Sequence, residues 1–172
     1  MPRAVVILAT VAVTFLSASC LEVVDVGQPL EVDAGSTFEV VLLVRAAAPA
    51  RARGPVFGVL AVSLPEGAVA KEGSFRGAAR GKLRRLEGVG AAPPSERPGY
   101  GWTFFRTRDQ YEPSKLAAGV FDVRLKVKAE TAPGDYRFTY AAAAVPTARG
   151  GGPNLSRLEW PEATLARWVT VK

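Results

Sequence analysis

The densest group of side chains able to do chemistry is a basic segment near the middle of the chain. Four cations stand between positions 80 and 85, within a stretch at residues 77–99 whose carboxylates are Glu87 and Glu96. Guanidinium and ammonium groups bind phosphate and carboxylate groups, so the segment predicts contact with an anionic partner. The competing interpretation is a solvated, flexible insertion. The four cations are Arg80, Lys82, Arg84 and Arg85.

Aromatic residues form a second candidate binding group. An aromatic strand is predicted at Tyr100–Thr107 (YGWTFFRT), and its rings could stack on a sugar ring or a peptide. Rings also fill the cores of β-sandwiches, and the core is the stronger expectation for Trp102 and Trp168. The candidate binding residues are Tyr100, Trp102, Phe105, Tyr111 and Trp160.

Three carboxylates, Asp109, Glu112 and Asp122, stand near one another in the sequence. They could form the acid pair of a glycoside hydrolase or an oxygen-ligand calcium site, but no EF-hand spacing or Asp-rich loop accompanies them. The chain has no histidine, the commonest general base and metal ligand. Its one cysteine excludes an intrachain disulfide and a thiolate cluster. We therefore expect no catalytic residues, no metal site and no cofactor.

The N-terminal segment predicts export. Arg3 is followed by an uncharged apolar run at residues 4–16 and by small residues at 17–19. These features are typical of a secretory signal, and the apolar run is too short to cross a bilayer core of about 30 Å comfortably. We expect a signal helix over residues 1–19. The net charge of +6 favours anionic partners in general, but export argues against nucleic acid.

The end of this segment, LSASC, resembles the lipobox of bacterial lipoproteins, in which the cysteine is acylated and becomes the new N-terminus. The resemblance implies a lipid anchor on Cys20 and a location at a membrane, in the periplasm or on the cell surface. Ser17 stands where the family pattern prefers leucine, and Leu16 lies one residue earlier. Ordinary cleavage before Cys20, which would give a secreted protein, and an uncleaved anchor are the alternatives.

The elements that must position the candidate residues are strands, and the clearest pair covers residues 119–145. Every second residue is apolar in FDVRLKV at 121–127, which is the period of a strand with one buried face. A turn follows, in which Pro133 fixes φ and Gly134 accepts backbone angles that other residues avoid. Aromatic residues then alternate with polar ones from Tyr136 onward.

Further apolar runs bounded by turn residues predict strands along the rest of the chain. If residues 21–26 and 30–32 are counted as one first strand broken at 27–29, and a short strand near Val69 or Phe75 is optional, they give seven or eight strands, with no helix of ordinary length after the signal. The sequence thus predicts an all-β fold, an immunoglobulin-like antiparallel β-sandwich over residues 20–172. A long basic loop is expected at about 77–99, with Leu83 and Leu86 on one side of a short helical turn at most. The further runs are residues 21–26, 30–32, 36–45, 56–64, about 68–76 and 165–171.

Three segments resemble bacterial immunoglobulin-like sandwiches of the cohesin and fibronectin-III-like type. They are GVLAVSLPEGA at 58–68, LAAGVFDVRLKV at 116–127 and APGDYRFTY at 132–140. The resemblance implies a sandwich fold, a structural corner at Tyr136 whose hydroxyl bonds back to the loop, and, for cohesins, protein–protein docking. The basic segment at 77–99 departs from the pattern of these families.

These observations lead to three hypotheses. The first is a non-catalytic domain, tethered to the bacterial envelope, that holds a protein or glycan partner through the face containing residues 77–100. The second is a carbohydrate-binding module that uses Trp102 and its aromatic neighbours. The third is a glycan-cleaving enzyme that uses the carboxylates. A row of exposed aromatic residues would favour the second, and paired carboxylates in a cleft would favour the third.

Overall fold

The computed structural model describes residues 21–46, 54–77, 79–94, 97–117 and 119–172. The predicted signal helix and Cys20 lie outside these residues. Within the described part the chain is almost entirely β structure, with ten strands, one five-residue helix and one 3₁₀ turn. The predicted all-β, immunoglobulin-like sandwich is confirmed as a fold class, and the number of described strands is ten rather than seven or eight.

The predicted limits of the strands agree with the structure at most positions. The aromatic strand and the last strand begin and end at the predicted residues, and the short helix α1 is Pro113–Ala117. A 3₁₀ turn occupies Leu155–Arg157. The strands are β1 (Leu21–Gly27), β2 (Glu31–Val32), β3 (Thr37–Ala46), β4 (Val56–Pro65), β5 (Ala68–Gly77), β6 (Arg80–Leu86), β7 (Tyr100–Thr107), β8 (Val120–Ala129), β9 (Gly134–Pro146) and β10 (Leu165–Val171).

The strands form one continuous sheet in the order β1-β3-β8-β5-β6-β7-β4-β9-β10-β2. Its neighbours are antiparallel except β2 and β10, which pair in parallel. The sheet curls until β1 lies against β9 and β10. One layer is therefore β1-β3-β8-β5, the facing layer is β7-β4-β9-β10-β2, and β6 joins them. Leu42 and Leu125 of the first layer share a core with Leu60 and Phe138 of the second.

The burial of β8 and β4 follows from their sequence patterns. In β8 the apolar residues from Phe121 to Val127 are buried and the charged residues Asp122, Arg124 and Lys126 between them are exposed, as the alternation predicts. In β4 all ten residues are buried, so this strand is covered on both sides. A continuous apolar run is what such a strand requires. The outer side of β4 therefore needs a cover of its own, to which Leu86 of β6 and Leu158 and Trp160 of the loop before β10 contribute.

The predicted long loop at residues 77–99 is wrong in its first half. Arg80–Leu86 is the strand β6, which pairs with β5 through residues 80–83 and with β7 through residues 83–86. The short helical turn expected at Leu83 and Leu86 is therefore wrong as well. Leu83 packs against the main core, while the basic residues that alternate with it face solvent. The connection between β6 and β7 is limited to residues 87–99.

The turns that join the strands show two close approaches of the chain. The Tyr136 hydroxyl donates a hydrogen bond to the carbonyl oxygen of Ala132, at 2.9 Å, across the Pro133–Gly134 turn between β8 and β9. This is the bond that defines a tyrosine corner. Between β4 and β5, Gly67 has φ of +86°, and a Cβ there would lie 2.2 Å from the carbonyl oxygen of Glu130. Only glycine fits this turn without displacing the end of β8.

Candidate functional site

The basic residues of β6 lie in a row on the outer face of the sheet. Arg80, Lys82 and Arg84 are exposed and alternate with Gly81 and Leu83, which face inward. On the neighbouring strands, Arg76 of β5 lies opposite Arg80, and Arg106 of β7 lies opposite Arg84. We call the following five residues the basic row. They are Arg76, Arg80, Lys82, Arg84 and Arg106.

Two like-charged pairs therefore face each other directly across strands, Arg76 with Arg80 and Arg84 with Arg106. Like charges at directly opposite positions weaken a sheet. Among the described residues, none of the five forms an ion pair with a carboxylate. In the described part of the chain, the positive charge of the basic row therefore has no carboxylate in direct contact with it.

The next charged strand, β8, is arranged differently. Arg124 pairs with Glu39 at 3.1 Å, Lys126 pairs with Glu72 at 2.6 Å, and Lys128 pairs with Glu130. The hydrogen bond and charge of Lys126 lower the pKa of Glu72, and Lys82 adds a smaller contribution in the same direction. Because each cation of β8 has a carboxylate beside it, the unpaired charge is concentrated on β5–β6–β7.

Beside the basic row, three aromatic rings lie close together. Trp102 and Phe104 on β7 have nearly parallel rings, with centroids 6.4 Å apart and planes at 23°. Trp160, from the loop before β10, lies 5.8 Å from Phe104 with planes at 34°. All three side chains are half-buried. We call Trp102, Phe104 and Trp160 the ring cluster.

The ring cluster lies at the edge of a small second core on the outer side of β4. This core consists of Phe57, Val59 and Val145, and Leu86, Leu158 and Trp160 pack against it. The Trp160 indole donates a hydrogen bond to the carbonyl of Ala91 at 2.8 Å, which ties together the loops that cover β4. Trp160 is therefore held both by packing against this core and by its hydrogen bond to Ala91.

Arg106 connects the basic row to the small second core. Its guanidinium lies 5.1 Å from the centroid of the Phe57 ring, within cation–π range. It also donates hydrogen bonds to the carbonyl oxygens of Thr107 and Arg108, both at 3.1 Å. These contacts fix its position opposite Arg84. The buried indole N–H of Trp102, by contrast, has no acceptor among the described residues.

Some predicted binding residues do not belong to this surface. Phe105 is buried in the main core with 1% exposure, so its assignment as a binding residue is wrong. Tyr111 packs edge-on against Phe75 at 5.7 Å beside the core, and burial, followed by the charge of Asp109, raises its pKa. The Tyr100 hydroxyl accepts a hydrogen bond from the backbone N–H of Arg137 at 3.1 Å, which gives this half-buried ring a structural contact.

The structure adds residues that the sequence reasoning missed. Arg76 and Arg106 join the site because of strand pairing, and Phe104 joins it because it lies two residues after Trp102 on the same face of β7. Arg85 is exposed near the end of β6, but it directly follows Arg84 and so does not share the alternate positions of Arg80, Lys82 and Arg84. Trp168, expected in the core, is 58% exposed on β10. Its neighbours Val169 and Val171 are the inward residues, so the period of two points Trp168 outward.

The carboxylates considered for catalysis or calcium do not form a metal-binding group. No set of three acidic, histidine or cysteine residues in the described part of the chain is arranged to hold a metal ion, and that part includes Asp109, Glu112 and Asp122. Asp109 faces Arg108 at 4.0 Å, and Asp122 lies opposite Arg76 on β5. The Asp122 backbone position is thus adjacent to the basic row, although no ion pair forms between the two side chains.

A cavity of about 40 Å³ lies between the two layers. Its walls are almost entirely apolar and include Leu21, Leu60, Phe75 and Phe121. It has room for only a few water molecules and offers few groups that could orient a ligand. The helices of the described residues include none with the length and apolar character to cross a membrane.

Comparison with known proteins gives similar folds at low identity. A cohesin module from a Clostridium perfringens ATCC13124 family 33 glycoside hydrolase is 12% identical over 89% of this chain and 98% of the module, with a TM-score of 0.45. The N-terminal domain of the Streptococcus gordonii adhesin Sgo0707 is 13% identical over 88% of this chain and 32% of that chain, with a TM-score of 0.47.

A third similar structure is AvmM, which catalyses macrocyclization in alchivemycin A biosynthesis. It is 10% identical over 90% of this chain and 89% of that chain, with a TM-score of 0.41. No protein-family model matches the sequence, and no curated protein matches it. Identities and TM-scores this low do not assign a function, so the functional conclusion rests on the surface described above.

Proposed function

We propose that this chain is a non-catalytic interaction domain that holds an anionic partner macromolecule on the basic row. The observation that carries the proposal is the direct opposition of Arg84 and Arg106, repeated by Arg76 and Arg80. Within the sheet these pairs repel, and a bound carboxylate, sulfate or phosphate group would turn the repulsion into two charge-assisted contacts. The fixed position of Arg106 would add preorganisation to this binding.

The chemical groups of the surface support binding rather than catalysis. Guanidinium and ammonium groups stay protonated at neutral pH and cannot serve as general bases there. The ring cluster contributes half-buried aromatic rings and no nucleophile. The absence of histidine from the chain removes the side chain that most often acts as a base near neutral pH.

The test of this proposal is salt elution from immobilised poly-L-glutamate and immobilised polygalacturonate. One variant carries Arg80→Gln, Lys82→Gln and Arg84→Gln. Its matched control carries Arg124→Gln, Lys126→Gln and Lys128→Gln, which removes the same charge from exposed or part-exposed residues of β8 that are ion-paired.

We expect the wild type and the β8 control to be retained by at least one polyanion, and the β6 variant to elute at clearly lower salt. Both variants have the same net charge, so a difference between them locates the binding site. If the two variants elute together, only net charge matters and the proposed site is wrong. Far-UV circular dichroism and thermal unfolding check that both variants fold.

We further propose that the domain is held at the bacterial envelope by a lipid on Cys20, which brings the basic row to an envelope-bound partner. The sequence LSASC supports this proposal. The test is intact mass and membrane fractionation of the wild type and Cys20→Ala in a bacterial host. A diacylglyceryl-sized addition on a membrane-bound wild type, together with a soluble variant, is the expected result. An unmodified, soluble wild type would mean a secreted protein without an anchor.

A further inference from the structure

We infer that the anionic partner is an acidic polysaccharide, whose charged groups bind the basic row while a neighbouring sugar ring packs on the ring cluster. This inference rests on the proposed function and adds the chemical class of the partner. One ligand must then contact both a line of cations and the half-buried aromatic rings at the end of that line.

The two features are continuous along β6. Arg80, Lys82 and Arg84 point outward from alternate positions, so the row extends for about 13 Å along the strand. The next outward residue, Leu86, lies directly opposite Phe104 of the ring cluster. Arg84 lies opposite Arg106, two residues before that point. A ligand that lies along β6 from Arg80 toward Leu86 therefore contacts the cations first. It then contacts the ring cluster, which begins on the neighbouring strand β7.

The ring cluster is a compact group of half-buried rings at the end of the basic row. Its ring planes differ by only 23° and 34° between neighbours, and its centroids are 6.4 and 5.8 Å apart. Trp160 packs against the core of Phe57, Val59 and Val145, and its hydrogen bond to Ala91 limits the motion of its ring. Rigid aromatic residues lose little conformational entropy when they bind a ligand.

An acidic polysaccharide fits this arrangement better than an acidic peptide does. Each uronic acid unit carries a carboxylate and an apolar ring face together, which matches cations and rings placed side by side. Arginine recognises a carboxylate through two parallel hydrogen bonds. Peptides on β proteins commonly add a strand to a free sheet edge or insert a helix into an apolar groove. The surface here is a sheet face on which recognition would be by side chains.

The experiment is calorimetric titration of the purified domain with three probes: an oligogalacturonate, a poly-L-glutamate of matched charge, and an uncharged oligoglucan. The wild type is compared with the triple β6 variant and with Trp102→Leu. The matched aromatic control is Trp168→Leu, because Trp168 is exposed on a different part of the sheet. Phe104→Leu serves as a second ring variant if Trp102→Leu does not fold.

We expect oligogalacturonate to bind the wild type and Trp168→Leu equally, with affinity reduced about tenfold by the ring variants and by more than that in the triple variant. Fluorescence of Trp168→Leu gives an independent readout, because the two remaining tryptophans, Trp102 and Trp160, both belong to the ring cluster. Oligogalacturonate should change that emission and poly-L-glutamate should not.

The outcomes separate this inference from the proposed function. If poly-L-glutamate binds as tightly as oligogalacturonate and the ring variants have no effect, the basic row binds anions in general and the polysaccharide inference is wrong. If the uncharged oligoglucan binds as tightly as the oligogalacturonate, the rings alone recognise the sugar, and the role proposed for the basic row is wrong. If neither anionic probe depends on the row, the proposed function and this inference both fail.

Discussion

Arg84 on β6 lies directly opposite Arg106 on β7, on the outer face of a continuous antiparallel sheet. Arg106 is held there by two backbone carbonyls and the Phe57 ring, and neither arginine has a carboxylate partner among the described residues. An arrangement that weakens the fold while concentrating charge predicts opposite effects of mutation on stability and on binding.

The first prediction concerns that trade-off. Arg84→Glu places a carboxylate opposite Arg106, so we expect the free energy of unfolding to rise by about 0.5 kcal/mol while binding of polyanions falls. Urea unfolding and salt elution measure the two quantities. The control, Arg124→Glu, breaks the ion pair with Glu39 and should lower stability slightly. Destabilisation by Arg84→Glu would contradict the claim that the opposed arginines repel.

The second prediction concerns the turn between β4 and β5. A Cβ at Gly67 would lie 2.2 Å from the carbonyl oxygen of Glu130, and φ is +86°. Gly67→Ala should therefore cost about 3 kcal/mol or more, from backbone conformation and displacement of β8. Gly35→Ala is the matched control, because φ there is +78° with no atom within 4 Å. It should cost only about 1 kcal/mol. Equal losses in denaturant unfolding would rule out the steric contribution.

The third prediction concerns the tyrosine corner. Tyr136→Phe removes the hydrogen bond from the hydroxyl to the carbonyl of Ala132 and leaves the ring in place. We expect a loss of about 1 kcal/mol in the free energy of unfolding, with no change in binding to polyanions. Chemical denaturation at neutral pH measures the loss. A variant as stable as the wild type would show that the corner bond is exchanged for water at no net cost.

The fourth prediction concerns alkaline pH. The Tyr140 hydroxyl donates a hydrogen bond to Gln28 Oε1 at 2.6 Å, and burial raises the pKa of Tyr140. The unfolded chain, with a tyrosine pKa of about 10, therefore loses this proton before the folded chain does. The contribution of Tyr140 to stability is complete below that pH and declines as the pH rises above it.

Tyr140→Phe tests this dependence. The variant should be about 1 kcal/mol less stable at pH 7, because it lacks the hydrogen bond. Its stability should then fall less steeply than that of the wild type above about pH 10. Urea unfolding at several pH values measures both slopes. Lys126 and Lys172, whose pKa values are raised by Glu72 and Glu31, contribute equally to both proteins. Parallel slopes would show that Tyr140 does not titrate differently in the two states.

The sequence determined the elements whose pattern is local. Alternation in FDVRLKV fixed which residues of β8 face the core, since a strand turns successive side chains to opposite faces. The Pro133–Gly134 turn and the bond of Tyr136 follow from residues only a few positions apart. The same period in the last strand points Trp168 outward and Val169 inward, a signal that was present but was outweighed by the expectation that tryptophan is buried.

Tertiary structure decided what depends on partners far apart in the chain. β6 has glycine and cations where a typical strand has apolar residues, and it is a strand because β5 and β7 pair with its two ends. Both faces of β7 carry rings, so only the position of the core made Phe105 internal and left Phe104 on the surface. Trp160 reaches Phe104 from a distant loop.

The candidate site is one of the features that tertiary structure decided. The sequence supplied the cations at 80–85 and the rings of Tyr100–Thr107 as separate candidates, because each is visible as a local group. Strand register then placed Arg84 opposite Arg106 and Leu86 opposite Phe104. Register is set by backbone pairing and core packing over the whole sheet, which no single segment encodes. The chain's composition thus predicted an anionic partner, and the pairing of strands in the curled sheet placed the basic row beside the ring cluster.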